Sequence, residues 1–543
     1  MDIGELQADI IAKYEIEPSR GRLYRAKAEA LELLRGTVTH HYASLRPYIL
    51  ELMRADPEGR FELLTDGGVF KALYIGFSSL KKGFMEGCRW ILGLDGCFLK
   101  THLGGQLLSA IAKDGNDQMY PLAWAVVEVE NEECWTWFLN ILLQELGVVD
   151  GMGISFISDQ QKGLINAVQN LASFAEHRNC ARHVYCNWKK EFKGPTLKNL
   201  FWKAARSTYQ AQWEAALEEI KVENEAAYED FNSRDYRRFC KVLLSTQVQN
   251  DMVDNNISET FNGFIVKARS KHIVNMLEDI RISLMERQVK KQQLAEKFDD
   301  RVCLAIKKKI EKLMVNARSC IAHPGLRGKF EVQRLEDKFV VDLGNRSCTC
   351  RSWNLTGIPC VHGIAAINYM KHDPLEYVHD CYTVEKYRKA YSYAMEPLNG
   401  EKLWPKSTAN AVLPPFVRIM PGRPKKKRRR EHDEVDPKKA SRLRKNGVRM
   451  TCQRCFQVGH NARGCKNEEV PKPQKEKGKR GRPRKLGAAT TGGRQPQPRK
   501  RATRGSKGGG AVGRSEDASG EGTSSIGRDS TGEIATQQSQ VTN

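Results

Sequence analysis

Between residues 89 and 185 the sequence alternates apolar segments of strand length with segments of helical periodicity, and this order constrains the fold most. The seven predicted elements run β-β-β-α-β-α-β: strands 89–95, 106–112 and 120–127, helix 134–146, strand 154–158, helix 162–171 and a strand near 181–185. Turn residues at Gly104, Gly105 and 114–117 separate the first three strands. We therefore expect an α/β domain that opens with an antiparallel meander.

Three acidic residues stand at notable points of this order. Asp95 ends the first strand, Asp159 ends the fourth, and Glu259 follows a Lys-, Glu- and Ala-rich segment that is predicted to be a helical insertion. The order of elements is that of a ribonuclease H-like domain, which gathers acids at adjoining strand ends. Carboxylates bind hard divalent cations, and a pair of such ions supports phosphodiester chemistry. The alternatives are a solvated loop aspartate, a helix N-cap at 159 and a surface glutamate.

The sequence around these acids resembles the catalytic domain of plant Mutator-like element (MULE) transposases over about residues 20–400. The matching motifs are 94–100 (LDGCFLK), 104–108 (GGQLL), 114–128 (DGNDQMYPLAWAVVE), 135–138 (WTWF), 158–163 (SDQQKG), 180–183 (CARH) and 256–262 (NISETFN). One departure is Phe98, where the family commonly has histidine. Because the sequence starts close to the helical segment, we expect the N-terminal DNA-binding module of many relatives to be missing, which would affect recognition of terminal inverted repeats.

The resemblance implies a ribonuclease H-like DDE transposase domain in which Asp95, Asp159 and Glu259 hold two Mg²⁺ or Mn²⁺ ions. It implies cleavage of DNA at the element ends, followed by strand transfer in which the freed 3′-hydroxyl attacks target DNA. It also suggests a homo-oligomer assembled on paired DNA ends. Cys180 and His183 match the C-x-x-H element of the family. His183 either orients DNA or a carboxylate, or packs beside the neighbouring strand.

A first zinc signature follows a predicted β-hairpin at 330–343. Cys348, Cys350, Cys360 and His362 have the spacing C-x-C-x9-C-x-H. Three thiolates and an imidazole fill a tetrahedral site, so the zinc is structural rather than catalytic. The spacing resembles that of the SWIM zinc finger, which accompanies the same transposases. Unpaired thiols are the alternative.

A second signature, C-x2-C-x4-H-x4-C, is formed by Cys452, Cys455, His460 and Cys465. It resembles a CCHC zinc knuckle, a module too short to have a core, so that zinc must supply its folding energy. Phe456 is placed to stack on a nucleobase, and single-stranded nucleic acid is the usual ligand.

The C-terminal part of the chain is strongly basic. The formal net charge is +23, and residues 401–543 carry 35 Lys and Arg against 13 Asp and Glu, so the rest is nearly neutral. Such a tail suits a polyanion. We expect DNA rather than an acidic membrane, because no apolar stretch is long enough to span one. The run 425–430 resembles a nuclear localisation signal and predicts a nuclear protein.

Residues 479–485 resemble an AT-hook, whose arginines enter a narrow minor groove. The arginines concerned are Arg480, Arg482 and Arg484. A solvated polycation that binds any phosphate backbone is the alternative.

These patterns predict the following organisation: an N-terminal helical region (1–85), the transposase domain (86–290) with its insertion (about 189–250), a helical connector (291–329), the SWIM-type finger (330–372), and a disordered basic tail (405–543) that carries the knuckle (450–467) and the AT-hook-like segment (479–485).

The sequence leaves three functions open. The first is a DNA transposase of the Mutator-like type. The second is a domesticated, catalytically inactive relative that regulates transcription by binding DNA. The third, a metal-dependent nuclease of RNA, would use the same acids and the knuckle. The scattered positions of the nine remaining cysteines favour a reducing compartment over a disulfide scaffold.

Overall fold

A computed structural model describes residues 3–14, 16–35, 37–101, 103–416, 451–457 and 461–471. The chain divides into two units. The described residues up to 416 belong to the first, and those from 451 onward belong to the second. The basic run 425–430, the AT-hook-like segment 479–485 and His460 lie outside the described residues. None of the described helices is both long and apolar enough to cross a membrane.

The main sheet of the first unit is mixed and has seven strands. They are β1 (Arg60–Asp66), β2 (Val69–Gly76), β3 (Arg89–Phe98), β4 (Gln106–Lys113), β5 (Met119–Val127), β6 (Ser155–Ser158) and β7 (Glu176–Asn179). Their spatial order is β1-β2-β5-β4-β3-β6-β7. β6 runs parallel to β3 and β7, and the other neighbours are antiparallel.

Helices cover and extend this sheet. In chain order they are α1 (Ile3–Tyr14), α2 (Arg20–Arg35), α3 (Val38–Ala43), α4 (Leu45–Ala55), α5 (Ser78–Gly87), α6 (Glu132–Leu146), α7 (Lys162–Leu171), α8 (Ala181–Trp188), α9 (Pro195–Arg206), α10 (Gln210–Glu223), α11 (Glu225–Ser233), α12 (Asn256–Phe264), α13 (Ile273–Glu296), α14 (Leu304–Ala317), α15 (Ser352–Thr356), α16 (Val361–Tyr369) and α17 (Val384–Ala390).

The predicted meander is present as β3, β4 and β5. Every residue of β5 is buried, because neighbouring strands flank it and helices pack on the sheet. The turn before β4 contains Gly104 and Gly105 with φ of 71° and 87°, which glycine adopts at little cost. α6 ends at Gly147, as predicted, in the left-handed conformation typical of a helix C-terminus.

One predicted strand is wrong. Residues 181–185 are not a strand but part of α8, because Ala181, Val184, Tyr185 and Trp188 are buried at helical spacing. The strand is β7, which begins five residues earlier. The N-terminal region 1–85, predicted to be helical, also contains the β1-β2 hairpin, which extends the sheet; the pattern of residues 67–75 indicates a strand there, and β2 occupies that position.

Between β7 and α12 the chain forms a second hydrophobic core. Helices α8 to α11 pack around Trp188 and Phe201, both fully buried. This segment interrupts the sheet domain as a mainly helical insertion.

A smaller antiparallel sheet follows α14. Its strands are β8 (Cys320–Pro324), β9 (Lys329–Arg334), β10 (Asp337–Asp342) and β11 (Ser347–Cys348), in the spatial order β11-β10-β9-β8. β9 and β10 are the predicted hairpin, whereas β8 lies in the segment that was predicted to be a helical connector. α16 packs on this sheet, and its first turn carries His362.

Candidate active site and metal centres

Asp95 and Asp159 lie side by side on parallel strands. The register of β3 and β6 pairs Ile91 with Ser155 and Gly93 with Ile157, so the same offset brings Asp95 level with Asp159. Neighbouring strands lie about 4.8 Å apart, and residues in register point to the same face of a sheet. Both aspartates are partly exposed; Asp95 lies within β3, three positions before its end, and Asp159 directly follows β6. The sequence analysis places both acids at strand ends; the structure sets them on neighbouring strands, but β3 continues past Asp95 to Phe98.

The electrostatics of the site reflect crowded negative charge. Burial, followed by repulsion from Asp159, raises the pKa of Asp95 to about 7, although a hydrogen bond from Asn262 opposes the shift. Glu130 adds to this charge. Burial raises the pKa of Glu130 and the Asp159 charge adds to the rise, although a hydrogen bond from Trp135 opposes it. A Cβ atom on Gly96 would lie 2.6 Å from Glu130 Oε2, so Glu130 sits directly beside the segment that follows Asp95.

Helix α12 lies across β3 and carries the third predicted acid. Asn255, at its N-terminus, donates a 3.0 Å hydrogen bond from Nδ2 to the carbonyl of Leu94. At Gly93 the helix and the strand are so close that an added Cβ would lie 2.7 Å from Ser258 Oγ. One turn later, Asn262 Nδ2 donates a 2.6 Å hydrogen bond to Asp95 Oδ2.

Glu259 precedes Asn262 by three residues, so the two side chains share a face of α12. Glu259 is nevertheless partnered elsewhere. Arg182 Nη1 donates to its Oε2 at 2.5 Å, and the glutamate side chain is 41% exposed. Among the described residues, only two groups, both rich in cysteine, gather three or more ligand atoms within 4.8 Å of one another. The structure therefore does not gather the carboxylate of Glu259 with those of Asp95 and Asp159, although α12 packs on β3.

Cys180 and His183 flank the same edge. Cys180 is buried, and its sulfur accepts a 3.2 Å hydrogen bond from the backbone N–H of Asn255, which fixes the start of α12. His183 is close enough for its charge to lower the pKa of Asp95. Its buried Nδ1 has no hydrogen-bond partner among the described residues. Cys180 thus has a structural role, whereas His183 lies near Asp95 and has a buried nitrogen without a hydrogen-bond partner in the described residues.

The four predicted ligands of the first zinc signature converge. Cys348 comes from β11, Cys350 follows it, and Cys360 and His362 lie at the start of α16. All four are buried, and their ligand atoms lie within 4.8 Å of one another. His362 Nδ1 is 3.6 Å from Cys348 Sγ and 3.8 Å from Cys360 Sγ. Tetrahedral zinc with its usual bonds to sulfur and nitrogen requires edges of about 3.6 Å. The geometry supports zinc.

The surroundings prepare these groups for a cation. The pKa of Cys350 is lowered because the thiols of Cys348 and Cys360 donate hydrogen bonds to its sulfur, and the pKa of Cys348 is raised to about 12 by the same contact. Phe339 stacks on the His362 ring, with centroids 4.0 Å apart. Packing therefore orients this imidazole, whose Nε2 has no hydrogen-bond partner within the part of the chain that the structure describes.

The finger is built into the first unit. Arg351 donates to the backbone carbonyls of Val242 and, at 2.9 Å, Leu244, both on the helical insertion. Thr208 of the insertion donates a 2.7 Å hydrogen bond to the Cys350 carbonyl. On another side, the hydroxyl of Tyr382 donates at 2.7 Å to the Thr356 carbonyl.

The second unit contains a cluster of three thiols. Cys452, Cys455 and Cys465 have their sulfur atoms within 4.8 Å of one another. Phe456 follows with φ of 57° and is partly exposed. These three thiols support zinc binding. His460, the fourth predicted ligand, lies outside the described residues.

Three residues of the acidic site were missed by the sequence analysis. Asn262 lies within the NISETFN motif, and Arg182 within CARH, but neither was assigned a role. Glu130 follows the end of β5, as Asp159 follows the end of β6. An acidic residue just after a predicted strand was the sequence signal that could have identified Glu130.

Comparisons with known proteins agree with this arrangement. Residues 91–187 match the family model of the MULE transposase domain. Residues 331–371 match that of the SWIM zinc finger. The class defined by fold and motifs is thus a mixed α/β domain of the MULE transposase type joined to a zinc finger. The resemblance to MULE-type transposases is confirmed by these two domains. None of the curated proteins matches the chain.

Proposed function

We propose that this protein is a DNA transposase of the Mutator-like type, with a ribonuclease H-like catalytic domain that cleaves DNA at element ends and transfers the strand to a target. The observation that carries the proposal is the β3-β6 register, which sets Asp95 beside Asp159. α12, which is hydrogen-bonded to β3 through Asn255 and Asn262, carries Glu259. The matched transposase domain supports the same function.

The acidic site has the donors that Mg²⁺ or Mn²⁺ requires. Asp95 and Asp159 offer adjacent carboxylates. Asn262 Oδ1, beside Asp95, is a buried oxygen with no hydrogen-bond partner in the described residues. Two ions held there would activate the attacking water or hydroxyl and stabilise the leaving oxygen. Burial raises the pKa of Asp95 most and repulsion from Asp159 adds to the shift; a bound cation would relieve that repulsion.

Glu259 would join the site by exchanging its partner. Its ion pair with Arg182 is well exposed, with side chains 43% and 41% accessible. Exposed pairs contribute at most about 1 kcal/mol, so breaking this one costs little. Arg182 would then be free to pair with a DNA phosphate at the same edge. Asn262 holds the carboxylate of Asp95 in place, and His183 has a nitrogen available for a proton or a hydrogen bond.

The remaining modules would hold nucleic acid. We assign DNA contacts to the SWIM finger and to the basic tail with Arg480, Arg482 and Arg484, and single-stranded binding to a CCHC knuckle in which His460 completes the thiol cluster and Phe456 stacks on a base. DNA as substrate and the basic run 425–430 support a nuclear location. Cleavage at two ends supports a homo-oligomer.

The test uses purified full-length protein, Mg²⁺, and a DNA that carries candidate terminal inverted repeats. We expect nicking and strand joining that disappear in Asp159→Asn, because that variant loses one of the two adjacent carboxylates. Glu133→Gln, which changes an exposed acid of α6, is the matched control and should stay active. DNA binding without cleavage, in both Mg²⁺ and Mn²⁺, would refute the catalytic proposal.

One observation favours the second candidate, a domesticated DNA-binding regulator. Glu259 is paired with Arg182 instead of facing the aspartates. If the pair is permanent, Arg182→Ala leaves the protein inactive and its DNA binding nearly unchanged. If the pair is exchanged during catalysis, Arg182→Ala still binds the divalent ions and loses mainly DNA affinity.

A further inference from the structure

Helix α8 contacts the acidic site at two points. In its first turn, Arg182 Nη1 donates to Oε2 of Glu259 on α12 at 2.5 Å. Near its other end, Asn187 Nδ2 donates a 3.4 Å hydrogen bond to Oε1 of Gln160, the residue that directly follows Asp159. One helix therefore joins the element that carries the third acid to the loop that begins with the second.

The two faces of α8 have different roles. Its inner face packs into the core of the insertion through Ala181, Val184, Tyr185 and Trp188. Its outer face, at helical spacing, consists of Arg182, His183, Cys186, Asn187 and, just beyond the end of the helix, Lys190. None of these five residues is acidic, and two are cations. His183 acts electrostatically on Asp95, so the outer face of α8 lies beside the acids.

Lys190 is held on this outer face by its neighbour. Its Nζ donates a 2.9 Å hydrogen bond to Asn187 Oδ1, and the amide of the same asparagine contacts Gln160. Two hydrogen bonds thus join the ammonium group to the residue next to Asp159. Lys190 is exposed, and no carboxylate among the described residues forms an ion pair with it. Its charge is available to an anion from outside the chain.

A DNA strand that approaches this site meets crowded negative charge. Asp95 and Asp159 are adjacent carboxylates, and Glu130 adds to their field. Divalent ions would offset this repulsion at the cleaved phosphodiester, whereas the phosphates on either side of it need cations from the protein. The outer face of α8 is the neighbouring surface that offers them.

The spacing of the two cations fits a strand that runs along the helix. Arg182 and Lys190 lie about 12 Å apart along the axis of α8, at about 1.5 Å per residue. One strand of duplex DNA rises about 3.4 Å per phosphate. The two side chains would therefore meet phosphates about three or four nucleotides apart.

We propose that the outer face of α8 is the track for one DNA strand beside the cleaved bond, and that Lys190, positioned by Asn187, binds a phosphate about three or four nucleotides from that bond. The inference rests on the proposed transposase function and adds a residue that positions the substrate. A phosphate contact carries no base information, so Lys190 sets the register of the strand and not the sequence that is recognised.

The test is a scan of single neutral phosphates. The bond cleaved by the full-length wild type in Mg²⁺ is mapped first. Binding is then measured by fluorescence anisotropy in Ca²⁺, on DNA ends that carry one methylphosphonate at successive positions around this bond. Excess unrelated duplex occupies the basic tail. We expect one position, about three or four nucleotides from the bond, to weaken binding by the wild type about fivefold, as for loss of an exposed ion pair.

Lys190→Gln should bind the unmodified DNA about fivefold more weakly and lose its sensitivity at that one position, because the cation and the phosphate charge form a single contact. The salt dependence of its binding should fall by about one counterion. Lys190→Arg should restore both properties. Asn187→Ala, which removes the anchor of the ammonium group but not its charge, should reduce the sensitivity at the same position without abolishing it.

Lys308→Gln is the matched control. Lys308 is exposed on α14, and its neighbour Lys309 acts on Asp117 in the turn after β4, at the other end of the β3-β4 pair from Asp95. This variant should keep the wild-type profile of sensitive phosphates. Cleavage by Lys190→Gln with an unchanged profile would overturn the inference and leave the transposase proposal intact. Absence of cleavage by the wild type would overturn both.

Discussion

Replacement of Asp95 by asparagine should stabilise the protein while it removes activity. The pKa of Asp95 is raised from 3.8 to about 7, mainly by burial and then by Asp159. Each unit corresponds to about 1.4 kcal/mol, so ionisation costs the folded state about 4 kcal/mol at most. Because Asp95 is partly exposed, solvent screening reduces this to about 2 to 3 kcal/mol. Asparagine carries no charge and can still accept the hydrogen bond from Asn262.

The effect has a defined pH window. Because the folded-state pKa is the higher one, the cost of ionisation is absent below about pH 4, grows as pH rises, and is complete above about pH 7. Asp95→Asn should therefore melt about 2 to 6 °C above wild type at pH 7.5 and equally with it at pH 4. The assay is thermal unfolding of zinc-loaded protein without Mg²⁺.

Addition of Mg²⁺ should reduce the difference in melting temperature between Asp95→Asn and wild type at pH 7.5, because the ion stabilises only the wild type appreciably. Glu133→Gln, at an exposed site, is the control and should shift neither melting curve. The argument from the cost of ionising Asp95 would be refuted by either of two results. In the first, Asp95→Asn is no more stable than wild type at pH 7.5. In the second, its melting temperature exceeds that of wild type by the same amount at pH 4 as at pH 7.5.

Two further predictions concern the finger. Cys360→Ser should lower the zinc content, measured by metal analysis, from two ions to one per chain, and it should make residues 329–371 susceptible to proteolysis. The control is Cys320→Ser, which changes a half-buried thiol of the same sheet outside the cluster and should keep both ions. Arg351→Ala should destabilise the first unit by about 2 to 4 kcal/mol in urea unfolding, because a charged donor is lost from two carbonyls of the insertion. Arg346 is the control: like Arg351 it has a left-handed backbone (φ of 48° and 58°), but its side chain is exposed. Arg346→Ala should lower the free energy of unfolding by less than about 1 kcal/mol. Equal effects of the two arginine variants would contradict the role of Arg351 in attaching the finger to the insertion.

The strands that position the aspartates were predictable from sequence because they are buried. β5 is almost continuously apolar, β3 contains the apolar run 90–94, the short β6 has Phe156 and Ile157 between two serines, and glycine turns separate the strands of the meander. β7 was not predictable in the same way. It reads Glu-His-Arg-Asn and is stabilised by tertiary contacts: Arg178, wholly buried, donates to Glu176 and to the Asn250 and Met252 carbonyls. A strand of four polar residues has no periodicity to detect.

The candidate site divides in the same manner. The zinc ligands could be predicted by residue, since their spacing is local in the sequence. The Glu259–Arg182 pair and the hydrogen bond from Asn262 to Asp95 could not be predicted, because each joins segments far apart in the sequence: α12 meets α8 in the first and β3 in the second. The helical spacing of residues 181–188 was visible, and attention to Trp188 would have identified α8.

The attachment of the finger by Arg351, Thr208 and Tyr382 has a consequence for how DNA would be handled. A zinc module on a flexible linker can bind its ligand in many orientations. A module hydrogen-bonded to the insertion and to the rest of its unit holds the ligand at a fixed distance from the other sites of that unit. Nucleic acid gripped by this finger would reach the carboxylate edge at one angle and one depth. The length of strand between the two contacts, measured in nucleotides, should then be a constant of the protein.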